Sequence, residues 1–143
     1  MYDSGQHSRS MNERLQLLLA LLAIYNPEWD SSQFTFHNKS KTLSLYGPNL
    51  KNLRYSKARR NQQTLLKVLS IKHLHLKDCS IESLDEINGL DLLSLDISGT
   101  KIKDLKPLRK QESIQSITIT SEQALDDSYL RLKDKINFNI IAK

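Results

Sequence analysis

Apolar residues recur along this chain at fixed long offsets. The segment IKHLHLKDCSIESLDEINGL (71–90) overlays LLSLDISGTKIKDLKPLRK (92–110) with a shift of 21 residues. Leu74 falls on Leu95, Leu76 on Ile97, Cys79 on Thr100, Ile81 on Ile102, Leu84 on Leu105 and Ile87 on Leu108. Ile114, Ile117 and Ile119 repeat Leu92, Leu95 and Ile97 after a further 22 residues, and Leu43, Leu45, Leu50 and Leu53 precede Leu74, Leu76, Ile81 and Leu84 by 31. The longer first interval is explained by a polar, basic insertion near 54–63. Within each copy an apolar-x-apolar pair has a period of two, which sets both side chains on one face of a short strand. The later apolar positions, three apart, suit a 3₁₀ or irregular return. No copy can bury its leucines alone, so the copies are expected to stack, about four of them, with their strands in one parallel sheet at about 4.8 Å spacing.

The flanks predict caps. Ser10-Met11-Asn12-Glu13 has capping-box spacing and opens an apolar run, Leu15 to Tyr25, that stops before Asn26-Pro27: one helix. Phe34 and Phe36, then a polar HNKSK turn, then Leu43 and Leu45 predict a β-hairpin whose second strand is the first repeat strand. After Thr120 the repeat lapses. Asp126-Asp127 is set to start a short helix through Leu130, Leu132 and Ile136, and NFNII (137–141) fits a closing strand. Such caps cover sheet edges that would otherwise pair with other chains. The domain plan is a disordered polar tail (1–10) and a single domain (11–143), divided into an N-terminal cap (11–40), repeats (41–120) and a C-terminal cap (121–143).

The residues LDISGTKIKDLKPL (95–108) resemble a leucine-rich repeat of the short bacterial kind, with Gly99-Thr100 at the strand exit and Asp104-Leu105-x-Pro107-Leu108 closing the coil. The segment LLLALLAIYNPEWD (17–30), the Phe-rich hairpin and LDDSYLRLKDKINFNI (125–140) extend the resemblance over most of residues 12–141. Together they are similar to the repeat domain found with some bacterial eukaryotic-type Ser/Thr protein kinases. The resemblance implies an α/β solenoid: a leucine-rich-repeat right-handed coil with a short parallel sheet, a helix-hairpin cap and a helix-strand cap. The second copy departs from the pattern, with Asp78-Cys79 for Gly-Thr and Glu86-Ile87 for Pro-Leu. No Gly-rich nucleotide loop, HRD or DFG occurs, so the resemblance implies a non-catalytic accessory domain of a larger signalling protein.

Composition narrows the function classes. The chain has 143 residues, enough for a core without staples, and one cysteine, Cys79, which excludes a disulfide framework, a CxxC pair and a cysteine-built zinc site. Cys79 is expected to be a small buried filler. The run from Leu15 to Tyr25 is too short to span a bilayer and lacks a small-x-small cleavage site, so it reads as a buried cap helix rather than a leader. The compartment stays open, with the cytoplasm favoured.

Charge is uneven. Lys and Arg total 21 against 16 Asp and Glu, a formal +5, yet residues 31–77 contain ten basic and no acidic residues. Arg54, Lys57, Arg59 and Arg60 form the densest part of this block, which can attract nucleic acid or another acidic partner. The residues beside the strand leucines supply a second candidate surface: Tyr46, His73, His75, Lys77, Ser94, Asp96, Ser98 and Thr118, on the face away from the core. This face is hydroxyl-rich and carries few large apolar anchors. His73-x-His75 with Asp96 alongside has the donor types of a divalent-metal site, but lacks a supporting third histidine and reads instead as solvated histidines. A Ser–His–Asp hydrolase built on Ser94 or Ser98 lacks the nucleophile elbow. The expected function is therefore non-enzymatic, without metal or cofactor: a protein-interaction or scaffold module with a protein partner. Binding of nucleic acid or another acidic partner through 39–77 is the alternative, and the oligomeric state is left open.

Overall fold

The computed structural model describes residues 10–54 and 64–142. Nearly all of the expected tail and most of the insertion, including Lys57, Arg59 and Arg60, lie outside the described residues. The fold is mixed α/β. Helix α1 (Met11–Tyr25) precedes the antiparallel hairpin β1 (Phe34–His37) and β2 (Thr42–Leu45). Strands β3 (His73–His75), β4 (Ser94–Asp96), β5 (Ser116–Thr120) and β6 (Asn137–Ile141) then add in parallel, giving one six-stranded sheet in the order β1-β2-β3-β4-β5-β6. Short 3₁₀ turns, Leu65–Val68, Leu84–Ile87 and Lys106–Lys110, lie between successive parallel strands. Helix α2 (Asp127–Leu132) precedes β6.

The sequence offsets are the strand registers. Leu43, Leu74, Leu95, Ile117 and Phe138 are successive Cα partners, so the shifts of 31, 21 and 22 align the strands, and β6 joins the same row. The first four of these are at most 1% exposed, as are Leu45, Leu76, Ile97 and Ile119 two residues later. Each such burial is worth about 1.5–3 kcal/mol against exposure, which is what holds strands only three to five residues long. At the strand exits, Gly47, Asp78 and Gly99 occupy equivalent positions and all have positive φ (114°, 58° and 76°). Asp78 thus adopts the left-handed turn that the Gly-Thr pattern assigns to glycine. Beyond this turn, Ser80 N–H donates to Leu50 O and Lys101 N–H to Ile81 O, both at 3.0 Å, joining adjacent copies a second time.

Both ends are clipped on by buried polar side chains. At α1 the Ser10 hydroxyl accepts from Glu13 N–H and the Glu13 carboxylate accepts from Ser10 N–H, a complete capping box. The helix packs against the 3₁₀ turn Leu65–Val68 with Leu18 and Leu22 fully buried. It is not buried on every side as its composition suggests, because Ile24 is 69% exposed. Asn26, just past its end, donates through Nδ2 to Leu22 O and Asn52 O and accepts at Oδ1 from Lys51 N–H and Asn52 N–H. At the other end the buried Gln123 donates to Ile97 O and Ile102 O and accepts from Thr120 N–H. Asp126 caps α2 through Ser128, whose hydroxyl also accepts from Leu105 N–H. Those same hydrogen bonds from Ser128 hold the Asp126 carboxyl below its ordinary value.

Candidate functional site

Period-two alternation leaves a polar face on the sheet opposite the leucines. Register aligns its side chains in rows across the strands. One row runs His37, Thr42, His73, Ser94, Ser116, Asn137, and the next Thr35, Ser44, His75, Asp96, Thr118, Asn139. His37, Thr35, Asn137 and Asn139 are members that the repeat alignment missed. The hairpin pairing and the closing strand carry the same period and could have revealed them.

The histidines are held by neighbouring hydroxyls. His73 Nδ1 lies 2.6 Å from Ser94 Oγ on β4, and His75 Nδ1 lies 3.2 Å from Ser44 Oγ on β2. Both rings are half-buried. Asp96 is the register partner of His75, yet its Oδ1 accepts from Ser98 N–H at 2.9 Å and from Ser98 Oγ at 2.6 Å. This turns the carboxylate along its own strand. Among the described residues no three His, Cys, Asp or Glu side chains gather as a ligand set. Ser94 and His73 touch, but Asp96 engages Ser98, so the third member of a Ser–His–Asp arrangement is directed elsewhere.

The remaining candidates divide. Tyr46 is 39% exposed at the end of β2, and its backbone carbonyl accepts from Trp29 Nε1, tying the face to the N-terminal cap. Lys77 is exposed, whereas Ser94, Asp96 and Thr118 are half-buried. Ser98 is corrected: at 1% exposure its hydroxyl serves Asp96 and offers nothing to a partner. Arg54 is corrected as well. It is not a free cation of the basic insertion, because it pairs with Glu86 at 3.2 Å with side chains only 13% and 3% exposed. Glu86 also accepts from Leu53 N–H, and an Arg54–Thr64 bridge closes the neck of the insertion. Glu86 is where Pro stands in the better-matched copy, a departure visible in sequence whose role depends on the distant Arg54.

Cys79 is buried, donates to Leu45 O at 3.3 Å, and burial together with nearby Asp78 pushes its thiol up to about 12. It is an inert filler at ordinary pH. No described helix is long and apolar enough to cross a membrane.

The class these features define is a mixed α/β protein with a six-stranded sheet and one polar face. Comparison with known proteins finds no family model, curated protein or solved structure that matches the chain.

Proposed function

We propose that this chain is a leucine-rich-repeat solenoid, coiled right-handedly, whose polar sheet face serves as a non-enzymatic protein-interaction or scaffold surface. The observation that carries the reading is the unbroken register from β2 to β6, in which the apolar row Leu43, Leu74, Leu95, Ile117 and Phe138 has a row of polar side chains on either side. A regular face of this kind offers a partner many evenly spaced hydrogen-bonding groups on a rigid support. Its resemblance in sequence to the repeat domains found with bacterial Ser/Thr kinases supports an accessory role in a larger signalling protein. One observation favours a second reading: Lys39, Lys51, Lys67, Lys72 and Lys77 are exposed within a stretch that has no acidic residue, and this favours an acidic or nucleic-acid partner.

Capture of partners from a host extract at about 0.1 M and about 0.5 M salt separates the two. The wild type is compared with a face variant, Tyr46→Arg with Thr118→Arg, and a basic variant, Lys39→Glu with Lys72→Glu. A packed protein interface is retained in high salt and lost only in the face variant. Material released by salt and lost only in the basic variant overturns the interaction reading.

A further inference from the structure

His73 and His75 flank the fully buried Leu74 on β3 and therefore stand on the same side of the sheet, about 7 Å apart. Their rings are anchored in opposite directions, His73 to Ser94 on β4 and His75 to Ser44 on β2, each through Nδ1. Neither Nε2 has a hydrogen-bond partner among the described residues. Where the serine hydroxyl donates into Nδ1 the proton is on Nε2, and a charged ring also carries a proton there, so in both of these states Nε2 is a donor. Lys77 continues the row two residues on, exposed and without an ion pair among the described residues. Three polar side chains thus follow at alternate residues, two on β3 and the third in the turn that leaves it.

The surroundings favour acceptors that carry negative charge. β2 faces the pair with Thr42, Ser44 and Tyr46, and β1 beyond it with Thr35 and His37, none of them acidic. β4 contributes Ser94, Asp96 and Ser98, with the Asp96 carboxylate held by Ser98, and the exposed Asp78 follows Lys77 in the turn. Lys72 precedes the row and is exposed.

We infer that the His73-x-His75-x-Lys77 row binds an extended acidic peptide whose carboxylates fall at alternate residues. An extended chain places side chains i, i+2 and i+4 on one face with a repeat of about 7 Å, so two carboxylates meet the two imidazoles in register and the third falls to the flexible Lys77 side chain in the turn just beyond. This rests on the interaction reading of the sheet face. A nucleic-acid strand is the competing occupant. The row has one permanent cation, and among the described residues of this face Tyr46 is the one phenol ring for stacking, which suits a peptide better than a phosphate backbone with its bases.

Fluorescence anisotropy tests it with three labelled ligands: a short peptide alternating Thr and Glu, a block peptide of the same composition with its Glu residues consecutive, and oligothymidylate. The alternating peptide is expected to bind at least about fivefold more tightly than the block peptide. His73→Ala with His75→Ala removes this preference. Lys77→Gln, at an exposed position where folding is not at stake, weakens the alternating peptide severalfold, while Arg109→Gln with Lys110→Gln leaves it unchanged. Equal binding of the two peptides, tighter binding of oligothymidylate, no binding of either peptide, or indifference to Lys77→Gln overturns the inference. If it falls while capture of a partner still depends on Tyr46 and Thr118, the wider interaction reading stands.

Discussion

Asn26 and Gln123 do at the two ends what no apolar residue could. Each is a nearly buried amide that satisfies backbone groups left over where a helix or turn meets the sheet. The Asn26 side chain uses both its donor and acceptor ends, bonding backbone atoms of Leu22, Lys51 and Asn52. Truncation would leave the part-buried N–H groups of Lys51 and Asn52 and the Asn52 carbonyl without this partner, whereas Leu22 O keeps the Asn26 backbone N–H. Because an unsatisfied buried group costs about 1–3 kcal/mol, Asn26→Ala is expected to lower the free energy of unfolding by about 2–4 kcal/mol. Urea denaturation followed by circular dichroism measures this. Asn52→Ala, which removes a donor to Tyr25 O alone, is the milder control. Loss of less than about 0.5 kcal/mol in Asn26→Ala would show that the clip is dispensable.

At the scale of elements, the strands are short enough that their turns decide where they stop. β3 and β4 are three residues each, and both end three residues before a left-handed position, Asp78 or Gly99. The two turns also stack: a Cβ added at Gly99 would overlap the Asp78 carboxylate. Gly99→Ala therefore meets both an unfavourable φ and a steric clash, and it is expected to cost more than about 1 kcal/mol. The double variant Asp78→Gly with Gly99→Ala relieves the clash but not the φ, so it should recover part of that loss. A thermal-melting cycle over the four proteins reads the coupling directly. Strict additivity would mean that the turns do not touch. The hairpin differs, since Lys41 takes the positive φ (56°) at its turn, and Asn38 accepts from Lys41 Nζ at 2.7 Å across it.

Across the whole molecule, stability should be graded from the middle of the sheet outward. β3 and β4 are paired on both sides, and their inward side chains, Leu74 and Leu95, are at most 1% exposed. β6 pairs only with β5, and its inward-facing Ile140 is 45% exposed, although Phe138 is braced edge-on by Tyr129 at 4.9 Å. Amide hydrogen exchange is expected to be slowest at Leu74, Leu76, Leu95 and Ile97 and fastest among the strands at β6. Uniform protection through all six strands would indicate that the sheet opens only as one unit. The exposed Leu125 and Leu130 lie in the same C-terminal region, so apolar exposure is concentrated at the end where the sheet is least supported.

The sequence by itself determined the repeat, and with it the sheet. Burial is the dominant favourable term, and the leucines that must be buried recur at offsets of 31, 21 and 22, so those numbers specify strand register before any contact is known. Helix α1, the hairpin, α2 and β6 were legible for the same reason, each announced by a cap or a period next to it in the chain. The polar face was legible as a list of outward positions but not as an arrangement. Only tertiary structure decided that His73 turns to Ser94 and His75 to Ser44, that Asp96 turns to Ser98, and that Arg54 is occupied by Glu86, 32 residues away. Hydrogen bonds and ion pairs are directional and short in range, so their partners depend on which side chains arrive within about 3 Å, whereas hydrophobic burial requires only the right face.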